Sequence, residues 1–277
     1  MEYIKYQRRD ILIVVTFCGT VFALESANIV GYQNLSVNQG KTLTTPTFYS
    51  VNGGSVNIQD IIPAGENVPD GSEETVSFYF LDANSQLDGS VYYWQNREIQ
   101  PPLAFLPKFT VYGWYTKANP SDANDGKANI TIPAGKAFYM SSPTACFLTV
   151  SGQVPNGDVN VAVNAGKTLV GNPLPSNISI QDITPVGENV PDGSESAISF
   201  YFLDSTSQLD GSVYYWQNRE IQPPLAFLPK FTVYGWYTKA NPSDANDGKA
   251  SLDVTSGKGF YVTSPSEVQF NFKGLDL

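Results

Sequence analysis

The most constraining feature of this chain is an internal duplication that contains a long block of identical sequence. Residues 85–128 recur without change as residues 207–250, at an offset of 122 positions. A period of this length is too long for one unit of a solenoid and fits a whole small domain. We therefore predict two tandem domains at residues 28–154 and 155–277, joined by a short linker that begins at Val154.

The identical block has two explanations that a single sequence leaves open. Outside the block the two copies have diverged, most strongly downstream of Ala128 and Ala250. Recent gene conversion would copy such a block whatever it does. Selection would preserve it because it has a function.

Apolar and polar residues alternate along most of the chain, which is typical of β-strands, and helical periodicity is nearly absent. The segments at 76–81 and 90–94 predict a hairpin, and those at 129–132 and 137–140 predict a second, tight hairpin. Gly113 predicts a bulge in a strand at 108–115. With further strands at 29–37, near Leu43 and at 147–151, each copy has about seven or eight strands. The predicted fold class is all-β, with two tandem small β-sandwich (or barrel-like) domains after a signal peptide.

Comparison of the two copies predicts the register of the last strand. Three alternate positions are apolar in both copies, whereas the positions between them are polar in the second copy. A shift of one residue would expose the apolar set, so that set faces the core. Its members are Cys146, Leu148, Val150, Val268, Phe270 and Phe272.

The N-terminus has the pattern of a secretory signal peptide. Basic residues up to Arg9 precede an apolar run that ends at Ala23 and is too short for a confident membrane span. We predict cleavage after Ala23, giving a signal peptide at residues 1–23, with Ala27 as the later alternative. An uncleaved N-terminal anchor stays open, whereas Phe17 disfavours lipidation of Cys18. The predicted localisation is extracellular or at the cell surface.

Composition excludes several classes of function. The net charge of −10 repels phosphate backbones and anionic lipids, so we predict no nucleic-acid partner and no membrane insertion after signal cleavage. The absence of histidine excludes Ser-His-Asp systems and most zinc sites. A carboxylate glycosidase would need two opposed acids, for which Glu98 and Glu220 are the residues to test. We predict no enzymatic activity and no cofactor.

Acidic loops that start at Asp82 and Asp122 resemble metal-binding loops. Neither has the spacing of a calcium loop that ends in a bidentate glutamate. In the second copy Asn84 is replaced by Thr206, a poorer ligand. We therefore predict hairpin turns at these positions and no metal site.

Runs of consecutive aromatic residues give the candidate binding residues. On a strand, neighbouring side chains point to opposite faces, so at least one ring of each run points away from the core. Exposed rings can stack on sugars or form a protein-binding patch. The alternative is that the tryptophans belong to the core and the tyrosines flank them. The candidate residues are Tyr92, Trp94, Trp114 and Tyr115, with Tyr214, Trp216, Trp236 and Tyr237 in the second copy.

Several short motifs resemble a group of secreted β-rich tandem-repeat proteins of Gram-negative bacteria that are described as hypothetical. The resemblance lies in the segment Ser26-Ala27-Asn28-Ile29-Val30-Gly31-Tyr32 and in motifs at 40–43, 59–61, 80–94 and 135–143. The proline-rich segment 98–107 does not belong to the pattern. The resemblance implies an exported cell-surface or matrix module, and it carries no catalytic residues.

Together these observations predict a non-enzymatic extracellular or cell-surface module with a structural or adhesive role. Tandem copies raise avidity when each copy binds weakly. Self-association into a surface array is a specific variant of this role, and surface glycans are the other candidate partners. The alternative function is a carbohydrate-binding module that uses exposed Tyr and Trp faces.

Overall fold

The computed structural model describes residues 30–49, 54–65, 68, 76–103, 105–116, 124–193, 197–223, 225, 227–238 and 246–274. Within these residues the chain is all-β, and its helical elements are two single 3-10 turns at Ile58–Asp60 and Ile180–Asp182. The predicted signal peptide and both of its candidate cleavage positions lie outside the described residues. No helix of the described part is long and apolar enough to cross a membrane.

The described residues form ten strands in each repeat. The strands of the first repeat are β1 Val30–Val37, β2 Gly40–Thr44, β3 Ser55–Asn57, β4 Ile61–Ala64, β5 Ser77–Tyr79, β6 Tyr92–Ile99, β7 Phe109–Tyr115, β8 Thr131–Pro133, β9 Phe138–Ser142 and β10 Cys146–Gln153. Those of the second repeat are β11 Val159–Val163, β12 Gly166–Gly171, β13 Ile178–Ser179, β14 Ile183–Val186, β15 Ser199–Tyr201, β16 Tyr214–Ile221, β17 Phe231–Tyr237, β18 Asp253–Val254, β19 Gly259–Ser264 and β20 Val268–Phe272.

Both repeats have the same sheet topology. The first repeat contains a five-stranded sheet in the order β2-β9-β5-β6-β7, a three-stranded sheet in the order β1-β10-β4, and the pair β3-β8. The second repeat has the orders β12-β19-β15-β16-β17, β11-β20-β14 and β13-β18. The duplicated sequence therefore produces the same set of antiparallel sheets twice.

The two larger sheets of each repeat contribute to one apolar cluster. In the first repeat the cluster combines Leu148 and Val150 of β10 with Phe78 of β5 and Phe138 of β9. The corresponding cluster of the second repeat contains Phe270 and Phe272. The predicted register of the last strand is confirmed, because all six predicted positions are at least 94% buried. A one-residue shift would expose this set, and its burial therefore fixes the register.

Two local predictions are wrong. Strands β8 and β9 do not form a tight hairpin, because β8 pairs with β3 while β9 pairs with β2 and β5. Gly113 is not a bulge, since the pairing of β6 with β7 is continuous and Gln95 lies opposite it. The predicted hairpin of β5 with β6 is confirmed by the pairs Ser77↔Tyr93 and Phe78↔Tyr92.

The outer faces of the two five-stranded sheets contact each other through a third apolar cluster. Its buried members are Ala137, Tyr139, Leu169 and Tyr261, and partly buried residues such as Leu43 surround them. Two isolated antiparallel bridges flank the cluster, Thr44↔Lys258 and Lys136↔Val170. Because Val170 and Lys258 are the second-repeat counterparts of Thr44 and Lys136, the contact has the reciprocal pattern of a twofold interface.

Candidate functional site

The long hairpin of β6 and β7 carries the residues that the sequence singled out. Its pairing runs from Tyr93↔Tyr115 to Ile99↔Phe109, and β7 lies at the edge of the five-stranded sheet. Strands β16 and β17 form the same hairpin in the second repeat. Both hairpins lie within the identical block, so every feature of this site occurs twice.

The candidate aromatic residues belong mostly to the interior. Tyr214 is half-buried. The other seven expose at most 9% of their surface, and they are Tyr92, Trp94, Trp114, Tyr115, Trp216, Trp236 and Tyr237. The ring faces needed for stacking on a sugar are therefore not available at these seven positions. This corrects the expectation of exposed rings.

Specific contacts explain this burial. The indole of Trp114 donates a hydrogen bond from Nε1 to the carbonyl oxygen of Ile61 at 2.7 Å, and it packs edge-on against Trp94 with ring centroids 5.5 Å apart. The ring of Tyr115, on the other face of the sheet, is covered by the guanidinium of Arg97 at 3.6 Å. Trp236 and Tyr237 make the corresponding contacts with Ile183 and Arg219. These rings hold the hairpin onto the domain.

The solvent-exposed apolar residues lie instead at the end of the hairpin, in a group that we call the apolar tip. Phe105 is 81% exposed, Leu103 55% and Phe109 49%. The apolar tip of the first repeat comprises Leu103, Phe105, Leu106 and Phe109, and that of the second comprises Leu225, Phe227, Leu228 and Phe231. Large contiguous apolar patches on the surface of soluble proteins mark interaction sites.

The apolar tip is held in a defined conformation. The amide of Leu106 donates to the carbonyl of Leu103 at 3.0 Å, and the side chain of Gln100 donates to the carbonyl of Leu106 at 3.1 Å. At the base, Lys108 pairs with Glu98 at 3.1 Å. Lys108 and Glu98 therefore neutralise each other beside the apolar tip.

Sequence reasoning missed the apolar tip because it followed the tryptophans. The signal was present, since Leu103-Ala104-Phe105-Leu106 stands between prolines in a segment too short to be buried as a strand. An apolar run in a turn region has no neighbouring strand to cover it. Its exact recurrence at 225–228 in the second repeat could have identified it.

One side of β7 is open over part of its length. The amide of Trp114 is bound by Oε1 of Gln59, and its carbonyl accepts from Nε2 of Gln59 and from the amide of Ala128. The backbone of Trp114 therefore points away from β6, and by alternation that of Tyr112 and Thr110 does too. In the part of the chain that the structure describes, no hydrogen bond reaches these outward groups.

The two candidate acids lie on the surface. Glu98 is 61% exposed and pairs with Lys108, and Glu220 pairs in the same way with Lys230 at 3.0 Å. This is the arrangement of surface ion pairs.

The acidic loop at Asp82 and its counterpart at Asp204 have the structure of turns, whereas the predicted loop that starts at Asp122 begins outside the described residues. One carboxylate oxygen of Asp82 accepts the amides of Asn84 and Gln86 at 2.9 and 2.8 Å. Asp204 accepts the equivalent amides, and hydrogen bonds from Gln208 and Thr206 lower the pKa of its carboxyl. Among the described residues no group of three or more acidic or cysteine side chains is placed to hold a metal ion.

Two related clefts lie where the repeats meet. One, of about 330 Å³, is lined by Asp82, Lys136 and Lys167 among other residues. The other, of about 250 Å³, is lined by their counterparts Asp204, Lys258 and Lys41. The clefts follow from the reciprocal contact of the repeats, and opposite charges line each of them.

Comparison with known proteins adds no family to these observations. No protein-family model matches the chain, and no curated protein and no solved structure shows significant similarity to it.

Proposed function

We propose that this chain is an exported, non-enzymatic module of the cell surface or extracellular matrix, with a structural or adhesive role. In this proposal each repeat is a β-sandwich domain and the two apolar tips are its points of attachment. The observation that supports it is the same solvent-exposed apolar tip at the end of both long hairpins.

The energy available to one tip suits weak binding. Burial of one large apolar side chain contributes about 2 kcal/mol, and Phe105 and Leu103 expose more than half of their surface. The side chains that define the tip are leucine and phenylalanine, which bind by apolar contact. A single tip therefore supports weak attachment to an apolar surface.

Two tips on one chain convert weak attachment into stable attachment. The third apolar cluster and the bridges beside it join the repeats, so that both tips belong to one body. Once one tip is bound, the second binds at a high effective concentration. Avidity can exceed the affinity of a single tip by about 10²–10⁴-fold.

The carbohydrate-binding alternative has less support. It needs exposed ring faces at the candidate positions, and seven of the eight are buried. Tyr112 and Tyr234 are 53% exposed, but each stacks on a tryptophan with ring centroids 6.1 Å apart. One face of each ring is therefore already occupied.

Adsorption to a defined apolar surface tests the role of the tips. We would measure binding and release on an octadecyl monolayer with a quartz-crystal microbalance and use a hydroxyl-terminated monolayer as reference. The combined variant Phe105→Ser, Phe227→Ser should lose more than about 10²-fold in retention, because both tips are altered. Each single variant should release about 10²-fold faster than the parent, because it is monovalent.

A matched control is Tyr32→Ser, because Tyr32 is 73% exposed but lies on β1 away from the tips. It should retain the parent's adsorption. Equal losses in this control and in the tip variants would show that adsorption is unspecific, and would count against the tips as attachment points.

Export is tested separately. The full chain expressed in a Gram-negative host should appear outside the cytoplasm, and its mature N-terminus should follow residue 23 or residue 27. Retention in the cytoplasm with an intact N-terminus would overturn the extracellular assignment, whatever the adsorption result.

A further inference from the structure

Strand β7 carries, within the described residues, no lysine, proline or bulge of the kind that protects edge strands in soluble proteins. Natural edge strands carry lysine, proline or bulges that discourage pairing with another chain. Strand β7, Phe-Thr-Val-Tyr-Gly-Trp-Tyr, has no charged residue and no proline, and its pairing with β6 has no bulge. By contrast, the edge strands β4 and β14 contain Pro63 and Pro185.

The open groups are arranged so that the strand can pair with a copy of itself. An antiparallel pair centred on Val111 places Thr110 of one chain opposite Tyr112 of the other, and the reverse. Residues opposed in this way exchange two backbone hydrogen bonds, so the two opposed pairs give the contact four hydrogen bonds. A register shifted toward Trp114 is blocked, because the amide and carbonyl of Trp114 are already hydrogen-bonded to Gln59 and Ala128.

Charge favours this contact over others on the same protein. The chain has a net charge of −10, which opposes the approach of two copies over most of their surface. The strand itself is uncharged, and the nearby Glu98–Lys108 pair is neutral. The edge of β7 is therefore a place where two acidic molecules meet with little repulsion.

The contact between the repeats leaves the edges of β7 and β17 open. Strand β2, at one side of the five-stranded sheet, contacts β19 of the other repeat. Strand β7 lies at the opposite side of that sheet. Strand β17 has the same sequence and the same place in the second repeat, so each chain carries two equivalent open edges.

We propose that the edges of β7 and β17 are self-association sites whose partner is β7 or β17 of a second copy of this chain. Each such contact is a closed twofold pair, and because every chain carries two of these edges, successive contacts join the chains into an open linear polymer. This inference rests on the proposed structural role and specifies how the module assembles. It uses strand edges, whereas adhesion uses the apolar tips.

Disulfide trapping tests the register. Opposed residues of a non-hydrogen-bonded antiparallel pair have Cα atoms about 4.5 Å apart, within reach of a disulfide. In the full chain with Cys18→Ser, the single variant Val111→Cys should give a covalent dimer under mild oxidation. The double variant Val111→Cys, Val233→Cys should give a ladder of oligomers on a non-reducing gel.

Two controls define the result. The parent, whose Cys146 is buried, should give no ladder. Thr110→Cys should cross-link much less than Val111→Cys, because Thr110 faces Tyr112 of the partner. Efficient cross-linking through Thr110→Cys alone would overturn this register, and absence of any cross-link would overturn the proposal.

Variants in which both open edges are blocked provide an independent test, measured by light scattering over a range of concentrations. Thr110→Pro with Thr232→Pro removes an outward N–H from each edge and should leave monomers, whereas Thr110→Val with Thr232→Val should assemble as the parent does. If the proline variant does not fold, Thr110→Lys with Thr232→Lys replaces it and should also be monomeric. A parent that is monomeric at every concentration would refute the inference.

The tip variants separate the two proposals. Phe105→Ser with Phe227→Ser should lose adsorption and keep the cross-linked ladder. Thr110→Lys with Thr232→Lys should lose assembly, and each monomer should still adsorb through its two tips. If the parent adsorbs but does not assemble, the strand-edge proposal is wrong; if it assembles but does not adsorb, the proposal for the tips is wrong.

Discussion

The hydroxyl groups of Tyr139 and Tyr261 hydrogen-bond to each other inside the cluster that joins the two repeats. The two residues are equivalent in the duplication. Each stacks on a tyrosine of its own repeat, Tyr79 at 5.5 Å and Tyr201 at 5.4 Å between ring centroids. A contact between equivalent residues is what a twofold axis produces, so the tandem repeats pack as the two halves of a homodimer would.

This tyrosine pair makes the chain sensitive to alkaline pH. Burial raises the pKa of both Tyr139 and Tyr261, and in Tyr261 the hydrogen bond with Tyr139 raises it further. Unfolded tyrosine ionises near pH 10, so the stability linked to the neutral phenols is present below about pH 10 and lost as pH rises above it. We expect Tyr139→Phe with Tyr261→Phe to lose stability less steeply above that pH.

The measurement is urea unfolding at a series of pH values from neutral to strongly alkaline. At neutral pH the free energy of unfolding of the double variant should be lower by about 1 kcal/mol, the contribution of one hydrogen bond. Tyr32→Phe, on the exposed face of β1, serves as control and should follow the parent. Identical alkaline slopes in parent and double variant would refute the assignment.

A second prediction concerns the contact between the repeats. A Cβ atom at Gly259 would lie 2.5 Å from Cγ of Leu43, across the contact. We expect Gly259→Val to separate the repeats while their own cores stay folded, and calorimetry should then show a lower, broader transition. Gln269→Val, at an exposed position of β20, places the same side chain on the surface and should leave the transition unchanged.

A third prediction follows from the burial of the candidate aromatic residues. Trp94 is 6% exposed and packs on Trp114, so Trp94→Ala should lower the free energy of unfolding by about 3–5 kcal/mol. Phe105→Ala, at a position 81% exposed, should change it by about 0.5 kcal/mol or less. Denaturant titration followed by fluorescence measures both. Equal stability of Trp94→Ala and the parent would contradict the core assignment.

The sequence was sufficient for features that depend on local alternation and on the duplication. It predicted the all-β class, the β5–β6 hairpin and the inward set of β10 that includes Cys146. It failed where the pairing of strands that are far apart in the sequence determines the fold. Strand β3 pairs with β8 across more than 70 residues, and a local reading instead joined β8 to β9. The apolar tip was missed because exposure was inferred from alternation within runs of consecutive aromatic residues, whereas position in the turn between β6 and β7 determines it.

The last prediction concerns Gln59, which connects the 3-10 turn at Ile58–Asp60 to β7. Its side chain binds the amide and carbonyl of Trp114 and the carbonyl of Ala128, at 2.7 to 3.2 Å. Its Oε1 also lies 2.7 Å from the place where a Cβ of residue 113 would be, which explains the glycine there. The side chain thus acts as a short partner strand for one end of β7.

We expect Gln59→Leu to leave the amide of Trp114 and the carbonyl of Ala128 without their partner, at a cost of about 1–3 kcal/mol for each group that water cannot reach. The carbonyl of Trp114 keeps its hydrogen bond from the amide of Ala128. Amide exchange at Trp114 should accelerate by at least 10-fold, and exchange at the paired residues of β10 should change less. Gln100→Leu removes an exposed amide at the apolar tip and is the matched control, with a cost of about 0.5 kcal/mol or less. Because the freed amide of Trp114 extends the open edge of β7, Gln59→Leu should also increase self-association. Unchanged exchange at Trp114 would show that the Gln59 side chain does not hold the strand.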